Sequence, residues 1–560
     1  MYFKLLQDSY FLRLVKLFII SILPVSFNLS QTTTTFNKRD DFGALNTQLT
    51  NVTSLAEAIY FTGLRIDTFD GHAYTSTFIA KSDLYGNIQF SKNLELPFPA
   101  PPYNIRIWSP VSIVSSDNTM LQCGNVVFDG WYRGLLTRTN SNAEVIKAVL
   151  ISNPFEPSFE DIALRGILEM DSGDIVVSGT ITHPGGFSFD GDIAVWRFDK
   201  EFNLKWVRVF GDELGVIHDG SYKIIKDKDQ NIYIGGWKFS VYPERYDFKN
   251  YIKVLKLDSL GNKLWEYHSP ENEKWGPAYD LLFDKDENLI IATAKIYEKK
   301  DSLPQPPPVR WVITGTNLYY PTIVKLNTKT FEMEWERPMG NGFYGPENNL
   351  SRIVADPKGD GYVASGFFDV NRNDGRGAEI PDQRAFLCKV SPEGDSLWFR
   401  VYDAVPEVVE KRNDVEDMEI SPDGGYVMCG VAFGIKIDDV NRPNDIRAWM
   451  LKVDEYGCLI PGCQLTSAST NLEAGLVKIS TYPNPVSDVL HFYISSENQK
   501  TETYTMEVLS QTGTVVRNSI PIMSDITYSM SLFDLPAGIY FLQLRTERGA
   551  VITERFVVAK

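Results

Sequence analysis

Two loops carry matching sets of hard oxygen donors. The tetrapeptide Asp-Val-Asn-Arg occurs at Asp369–Arg372 and again at Asp439–Arg442. It groups Asp369, Asn371, Asn373 and Asp374 in one stretch and Asp439, Asn441 and Asp445 in the other. Carboxylate and amide oxygens at alternate positions are the ligands Ca2+ takes, so these loops are the metal candidates. The plainer expectation is a solvated loop on a binding rim. Asp227-x-Asp229-x-Asn231 and Asp284-x-Asp286-x-Asn288 share the spacing, but neither has the glycine or the closing glutamate of an EF-hand loop. Both are expected to be polar turns. No other cofactor is called for.

Catalytic constellations are absent from the pattern. His72, His183, His218, His268 and His491 are scattered, with neither HExxH nor an i, i+4 pair, which argues against a zinc enzyme. There is no G-x-S-x-G and no P-loop. Asp219, Asp280 and Asp417 could supply carboxyl pairs for glycoside hydrolysis, but spacing alone selects no pair. Cys458 and Cys463 flank a Pro-Gly turn and are expected to form a disulfide in an exported protein. Cys123, Cys388 and Cys429 sit in apolar runs, as small buried hydrophobes. Three Asp-Ser-Leu triplets begin at Asp258, Asp301 and Asp395; they resemble O-glycosylation acceptors, although two of them fall in a repeated turn.

The elements that hold these residues are short β-strands in a long repeat. A strand ending in a small residue and then glycine appears at Ile59–Gly63, Met120–Gly124, Ile175–Gly179, Ile232–Gly236, Tyr362–Gly366 and Tyr426–Gly430. A further copy, Leu289–Thr293, has threonine in the glycine slot. After each comes an alternating strand ending at Lys81, Arg138, Arg197, Lys256, Lys325, Lys389 or Lys452, then a polar turn and an outer strand. Trp206, Trp265, Trp335 and Trp398 mark that outer strand in four copies. Successive copies lie about 55–75 residues apart, a period that implies a propeller or solenoid, and radial closure leaves only short edges. The expected fold class is therefore all-β, a seven-bladed β-propeller over 31–463; an open β-solenoid, or six or eight blades, are the alternatives. The last copy lacks its outer strand, and the threonine-rich segment around Thr32–Asn37 is expected to complete it. The Asp-x-x-Gly-x-x-x-Trp pattern also resembles quinoprotein propellers, though any blade hairpin would satisfy it.

A polar linker, 464–475, leads into a second unit, 476–560. It opens with Tyr482-Pro483-Asn484-Pro485, turns at Gly513, continues through Leu535-Pro536-Ala537-Gly538-Ile539-Tyr540, and ends at Lys560. Alternating apolar residues between proline and glycine turns describe a small Ig-like β-sandwich. This succession closely resembles the type A C-terminal sorting domain of the type IX secretion system of Bacteroidetes. The resemblance implies passage to the periplasm, transfer across the outer membrane by the type IX machinery, and release or surface attachment.

The N-terminus fits that route. Lys4, Arg13 and Lys16 precede or flank the apolar run Leu17–Val25, too short to span a bilayer, so residues 1–30 are expected to be a signal peptide. No later segment is apolar enough to cross a membrane. A net charge of −17 over 560 residues opposes a nucleic-acid partner. The expectation is an exported, non-catalytic propeller that binds a glycan or protein, with a secreted glycoside hydrolase or quinoprotein-like oxidoreductase as the competing reading.

Overall fold

The computed structural model describes residues 33–559 apart from a set of internal segments, the longest of which are 99–106, 154–161, 183–190, 301–314, 340–347, 435–444 and 464–476. The expected leader and linker lie outside the described residues. Among the described residues there is no α-helix, and no helix long and apolar enough to cross a membrane.

Seven small antiparallel sheets follow one another along the chain: blade 1 over 46–93, blade 2 over 107–151, blade 3 over 162–210, blade 4 over 217–268, blade 5 over 274–338, blade 6 over 349–402 and blade 7 over 411–453. Each innermost strand touches the innermost strands of the blades on either side, and that of blade 7 touches that of blade 1. The ring is closed. The strand Phe36–Asp40 supplies the outer edge of blade 7, pairing antiparallel with Asp445–Val453 in the register Phe36 to Lys452. The closing strand thus starts a few residues later than the composition suggested. The threonines before it serve the junction by hydrogen bonding instead. Thr34 donates from its N–H and hydroxyl to the Asp423 carboxylate, and the fully buried Lys452 ammonium donates to both.

The recurrent glycine is explained by the strand beside it. The inner strand of most blades carries one extra residue, a β-bulge, which pushes a backbone carbonyl toward the second strand. A Cβ on Gly236 would stand 1.8 Å from Gly220 O, and one on Gly430 would stand 1.9 Å from Asp414 O. Blade 5 is the exception that shows the cause. Its inner strand breaks into Lys274–Trp275 and Asp280–Phe283, so no bulged carbonyl presses on the second strand. Thr293 then fits, and its hydroxyl donates to Gly276 O at 3.2 Å.

The recurrent Lys or Arg is an intra-blade brace. Arg138, Arg197, Lys256, Lys325, Lys389 and Lys452 each pair with an aspartate in the first hairpin turn of the same blade (Asp117, Asp174, Asp227, Asp284, Asp356 and Asp423) at 2.7–3.4 Å. Lys81 instead sits over the Tyr60 ring. The outer-strand tryptophans pack between blades. Trp206, Trp335 and Trp398 lie against Gly261, Gly394 and Gly457 of the next blade, where a Cβ would come within 3.0 Å of the indole.

The C-terminal unit is a three-stranded sheet (477–482, 489–496, 527–531) facing a four-stranded one (503–510, 515–523, 538–546, 551–558) over a core that includes Leu490, Phe492, Met506, Leu544 and Phe556.

The two marker positions make opposite demands. Gly430→Ala is expected to cost about 1–3 kcal/mol through forced backbone displacement, whereas Thr293→Ala loses one buried hydrogen bond, about 0.5–1.5 kcal/mol. Urea denaturation of the full chain checks this; equal midpoints for Gly430→Ala and the unaltered protein would refute the bulge explanation.

Candidate functional site

The bulges that require the glycines also build the axial cavity. A bulge re-aims one side chain relative to its neighbours. The residues the register skips are Thr50, Arg165, Tyr222, Ser351 and Glu416, and Tyr279 stands at the break in blade 5. All six line one cavity of about 260 Å³ on the propeller axis. Val111, Asn349, Arg352 and Phe367 complete its wall. The Arg165 guanidinium lies 5.0 Å from the Tyr222 ring centroid, and Tyr222 meets Tyr279 edge to face at 5.3 Å. Among the described residues, Arg165 has no carboxylate in ion-pair range and Glu416 has no hydrogen-bond partner.

A second chamber of about 360 Å³ continues the axis and shares Arg165, Tyr222 and Arg352 with the first. Its acidic groups are committed to the joints between blades. Asp417 of blade 7 accepts from Val52 N–H of blade 1 at 2.9 Å and from Arg352 Nε of blade 6 at 2.5 Å. Asp280 of blade 5 accepts from Ile353 N–H of blade 6 at 3.0 Å and pairs with Lys223 of blade 4 at 3.0 Å. Glu419 of blade 7 accepts from Ser54 N–H of blade 1 at 2.9 Å.

These surroundings set the protonation states. Burial works against the Arg352 charge, but Asp417 and Asp280 outweigh it and keep the guanidinium ionised. Burial pushes the Tyr279 phenol well up, with Tyr222 adding to the effect. Glu416 reaches open water along the axis, yet the enclosing protein raises its carboxyl against the pull of Arg352 and Arg165. Glu419 is pushed up to about 7, chiefly by burial, although the Ser54 N–H opposes the shift.

The sequence candidates fare unevenly. Asp280 and Asp417 face the axis, whereas Asp219 is fully buried inside blade 4, bound to the Lys253 ammonium at 2.6 Å. Asn371, Asp374, Asp439 and Asn441 lie outside the described residues, as do the side chains of Asp369, Asn373 and Asp445. Asp227 and Asp284 hold their own turns: Asp227 accepts from the N–H groups of Asp229 and Asn231, and Asp284 from those of Asp286 and Asn288. Both carboxyls stay below the usual range, because these bonds and the paired lysines outweigh the cost of burial. Among the described residues no group of three or more His, Cys, Asp or Glu is arranged to hold a metal ion. Cys458 and Cys463 are joined by a disulfide, with Cα atoms 5.4 Å apart. Cys458 also caps the last hairpin turn, its N–H donating to Asp454.

In the C-terminal unit, Tyr482, Pro483, Asn484 and Pro485 are exposed, and Asn484 bridges to the final strand through Arg555 O and Val557 N–H. Leu535 and Tyr540 are buried; the Tyr540 hydroxyl donates to Pro536 O across Ala537, Gly538 and Ile539. Gly513 and Lys560 lie outside the described residues.

Sequence reasoning missed Arg165, Tyr222, Tyr279, Arg352 and Glu416. A signal was present: the axial residue falls thirteen to fifteen positions before each marker glycine, or before Thr293 in blade 5.

Residues 480–559 match the family described as the secretion system C-terminal sorting domain. Among curated proteins, none matches the chain. Several solved structures are similar in shape. A polysaccharide lyase of family PL25, an ulvan lyase solved with a bound saccharide, is 10% identical over 74% of this chain and 96% of its own, with a TM-score of 0.43. The polysaccharide lyase Uly1 is 10% identical over 72% of this chain and 90% of its own, TM-score 0.39. A protein of unknown function from Bacteroides caccae is 10% identical over 66% and 97%, TM-score 0.33. At these scores the likeness carries no inference about ligand or activity.

Glu419 gives the axis a pH signature. Its folded value near 7 exceeds the ordinary 4.5, so the folded state holds the proton more tightly and this contribution to stability fades as pH rises from about 4.5 through 7. Glu419→Gln is therefore expected to raise the melting temperature at pH 8 relative to the unaltered protein, and to change it less at pH 5. Parallel melting curves that differ by the same amount at both pH values would contradict the assignment.

Proposed function

We propose that this chain, which its sorting domain sends through the type IX system to the cell surface or the extracellular space, is a glycan-binding propeller whose ligand enters the axial cavity. A signal peptide at residues 1–30 would begin that route. The observation that carries the reading is the ring of bulged side chains. Thr50, Arg165, Tyr222, Tyr279, Ser351 and Glu416 come from six different blades and converge on one concave cavity. Convergent polar groups beside aromatic faces are the usual furniture of a small-ligand site. Phenol rings offer flat apolar surface to a sugar, hydroxyls and a carboxylate offer hydrogen bonds, and Arg165 offers a cation for an acidic substituent.

Binding is favoured over hydrolysis by how the acidic side chains are used. A hydrolase needs two carboxyls free to work across one cleft. Asp280, Asp417 and Glu419 each accept a backbone N–H from a neighbouring blade, which leaves Glu416 as the uncommitted acid of the cup. Ca2+ at the Asp-Val-Asn-Arg loops remains a proposal separate from this site.

A glycan array carrying neutral, uronate-bearing and sulfated oligosaccharides tests the reading with the full-length secreted protein. Retention on a restricted set is expected, with affinity reduced about tenfold by Arg165→Ala or Tyr222→Ala, the equivalent of ~1.4 kcal/mol, and no release of reducing ends. Absence of binding to every glycan, or binding indifferent to both substitutions, would sink it.

A further inference from the structure

A third cavity lies beside the axial cup, among blades 3, 4 and 5. It holds about 390 Å³ and is walled by Trp237, Phe239, Thr180, Thr182, Asn250 and Pro277. Trp237 and Phe239 meet edge to face at 6.3 Å, and both are half-buried, so part of each ring faces the cavity. The residue beneath the indole explains its posture. Gly220 pairs with Trp237 across the first two strands of the blade, and a Cβ there would stand 2.2 Å from the indole Nε1. Without that atom, the indole settles against the backbone of the inner strand. An indole so held, with threonine hydroxyls and an asparagine amide around it, offers a stacking face and hydrogen bonds to a pyranose ring.

The two cavities are neighbours by construction. On the inner strand Ile217–Lys226, Gly220 lies under the groove indole and Tyr222 lines the axial cup. Two residues of strand separate them, about 7 Å. In the adjoining blade Pro277 walls the groove and Tyr279 walls the cup, again two residues apart. The ridge between the cavities is therefore one strand and one short turn wide, and each of those segments contributes to both sides.

We infer that the Trp237 groove is a second subsite for the axial ligand, so that the ligand is a polysaccharide chain crossing the ridge and not a single terminal sugar. This rests on the axial cup being a saccharide site. The groove's occupant is the next stretch of the same chain, because only about 7 Å of strand separates the cavities and the segment from Pro277 to Tyr279 walls both. A mostly apolar wall suits the ring face of a sugar, while the charged contacts stay in the cup with Arg165 and Arg352.

The test uses the full-length secreted protein and size-graded oligomers, one to eight sugars long, of pectate, alginate and xylan, with affinity read by calorimetry. Affinity is expected to rise with length until both subsites are filled. Trp237→Ala, and Thr182→Trp, which places bulk in the groove, are each expected to lower affinity for the long oligomers about tenfold. Both should leave the shortest bound oligomer unaffected. Arg165→Ala should weaken every length. If affinity is independent of length, or if Trp237→Ala and Thr182→Trp change nothing while Arg165→Ala still does, the second subsite is refuted and the axial cup stands. Loss of the shortest oligomer with Trp237→Ala also refutes it, since the groove would then be the primary site. If no oligomer of any series binds, the saccharide reading of the cup fails and this inference with it.

Discussion

A single backbone kink governs this molecule: the extra residue that each of several inner strands inserts where it faces the propeller axis. The kink sends a carbonyl outward to 1.8–2.5 Å from where a Cβ on the second strand would stand, which is why that strand carries glycine. It sends one side chain inward, which is why the axis is furnished with Thr50, Arg165, Tyr222, Ser351 and Glu416. Scaffold and site are therefore two consequences of the same distortion. The glycine position is fixed by contact distance and cannot vary without cost, whereas the axial position meets open space and is released from packing. One is monotonous around the ring and the other chemically diverse, as those two constraints require.

Charge in this acidic chain is spent mainly on structure. Within a blade, a hairpin-turn aspartate holds the Lys or Arg of the third strand; between blades, Asp280, Asp417 and Glu419 accept backbone N–H groups across the joint. Most of the braces are shielded, as Lys389–Asp356 and Lys452–Asp423 are, so removing one partner leaves an uncompensated buried charge, and the groups at the joints leave as little room for error. A carboxylate that lost its N–H partner beside the axis would be a desolvated charge. The same reasoning applies to Lys253 in blade 4. Burial disfavours its charge, but Asp219 and Glu266 outweigh that, and in return Glu266 is held down to about 2 against its own burial. The Asp-x-x-Gly-x-x-x-Trp pattern likewise resolves into packing, since Gly261 receives Trp206 of the blade before and Trp265 meets Phe331 of the blade after at 5.1 Å.

What the sequence exposed and what it concealed follow from this geometry. The second and third strands of the blades pair in regular register and are largely buried along their described middles, so their repeat stands out: Ile232–Gly236 and the strand ending at Lys256 are two such cases. The fold class, the blade count and the exported tail were legible for that reason. The inner strand is not regular. Its bulge breaks the alternation that would mark Tyr222 or Glu416 as facing one way, and in blade 5 the strand is interrupted outright before Tyr279. Asp219, which looks equivalent to Asp280 and Asp417 by position, points into a blade because it lies three residues before its bulge and not one after it. The closing strand was misplaced by a few residues because threonine content signals β propensity, while register is set by Phe36 filling the space above Gly86.

Closure also sets where the chain enters and leaves the ring. Both ends of the ring meet in blade 7: the strand Phe36–Asp40 enters there, and the Cys458–Cys463 disulfide marks the place where the chain departs toward the sorting domain. Lys452, wholly buried, ties the incoming Thr34 to Asp423 at that same junction, so the ring is locked at the blade through which the chain leaves it. The Trp237 groove and the aromatic half of the axial cup belong to blades 3, 4 and 5, on the opposite arc of the ring. Glu416 nonetheless reaches the axis from the inner strand of blade 7, so the closing blade serves both the junction and the cavity wall, on strands separated by Tyr426–Gly434.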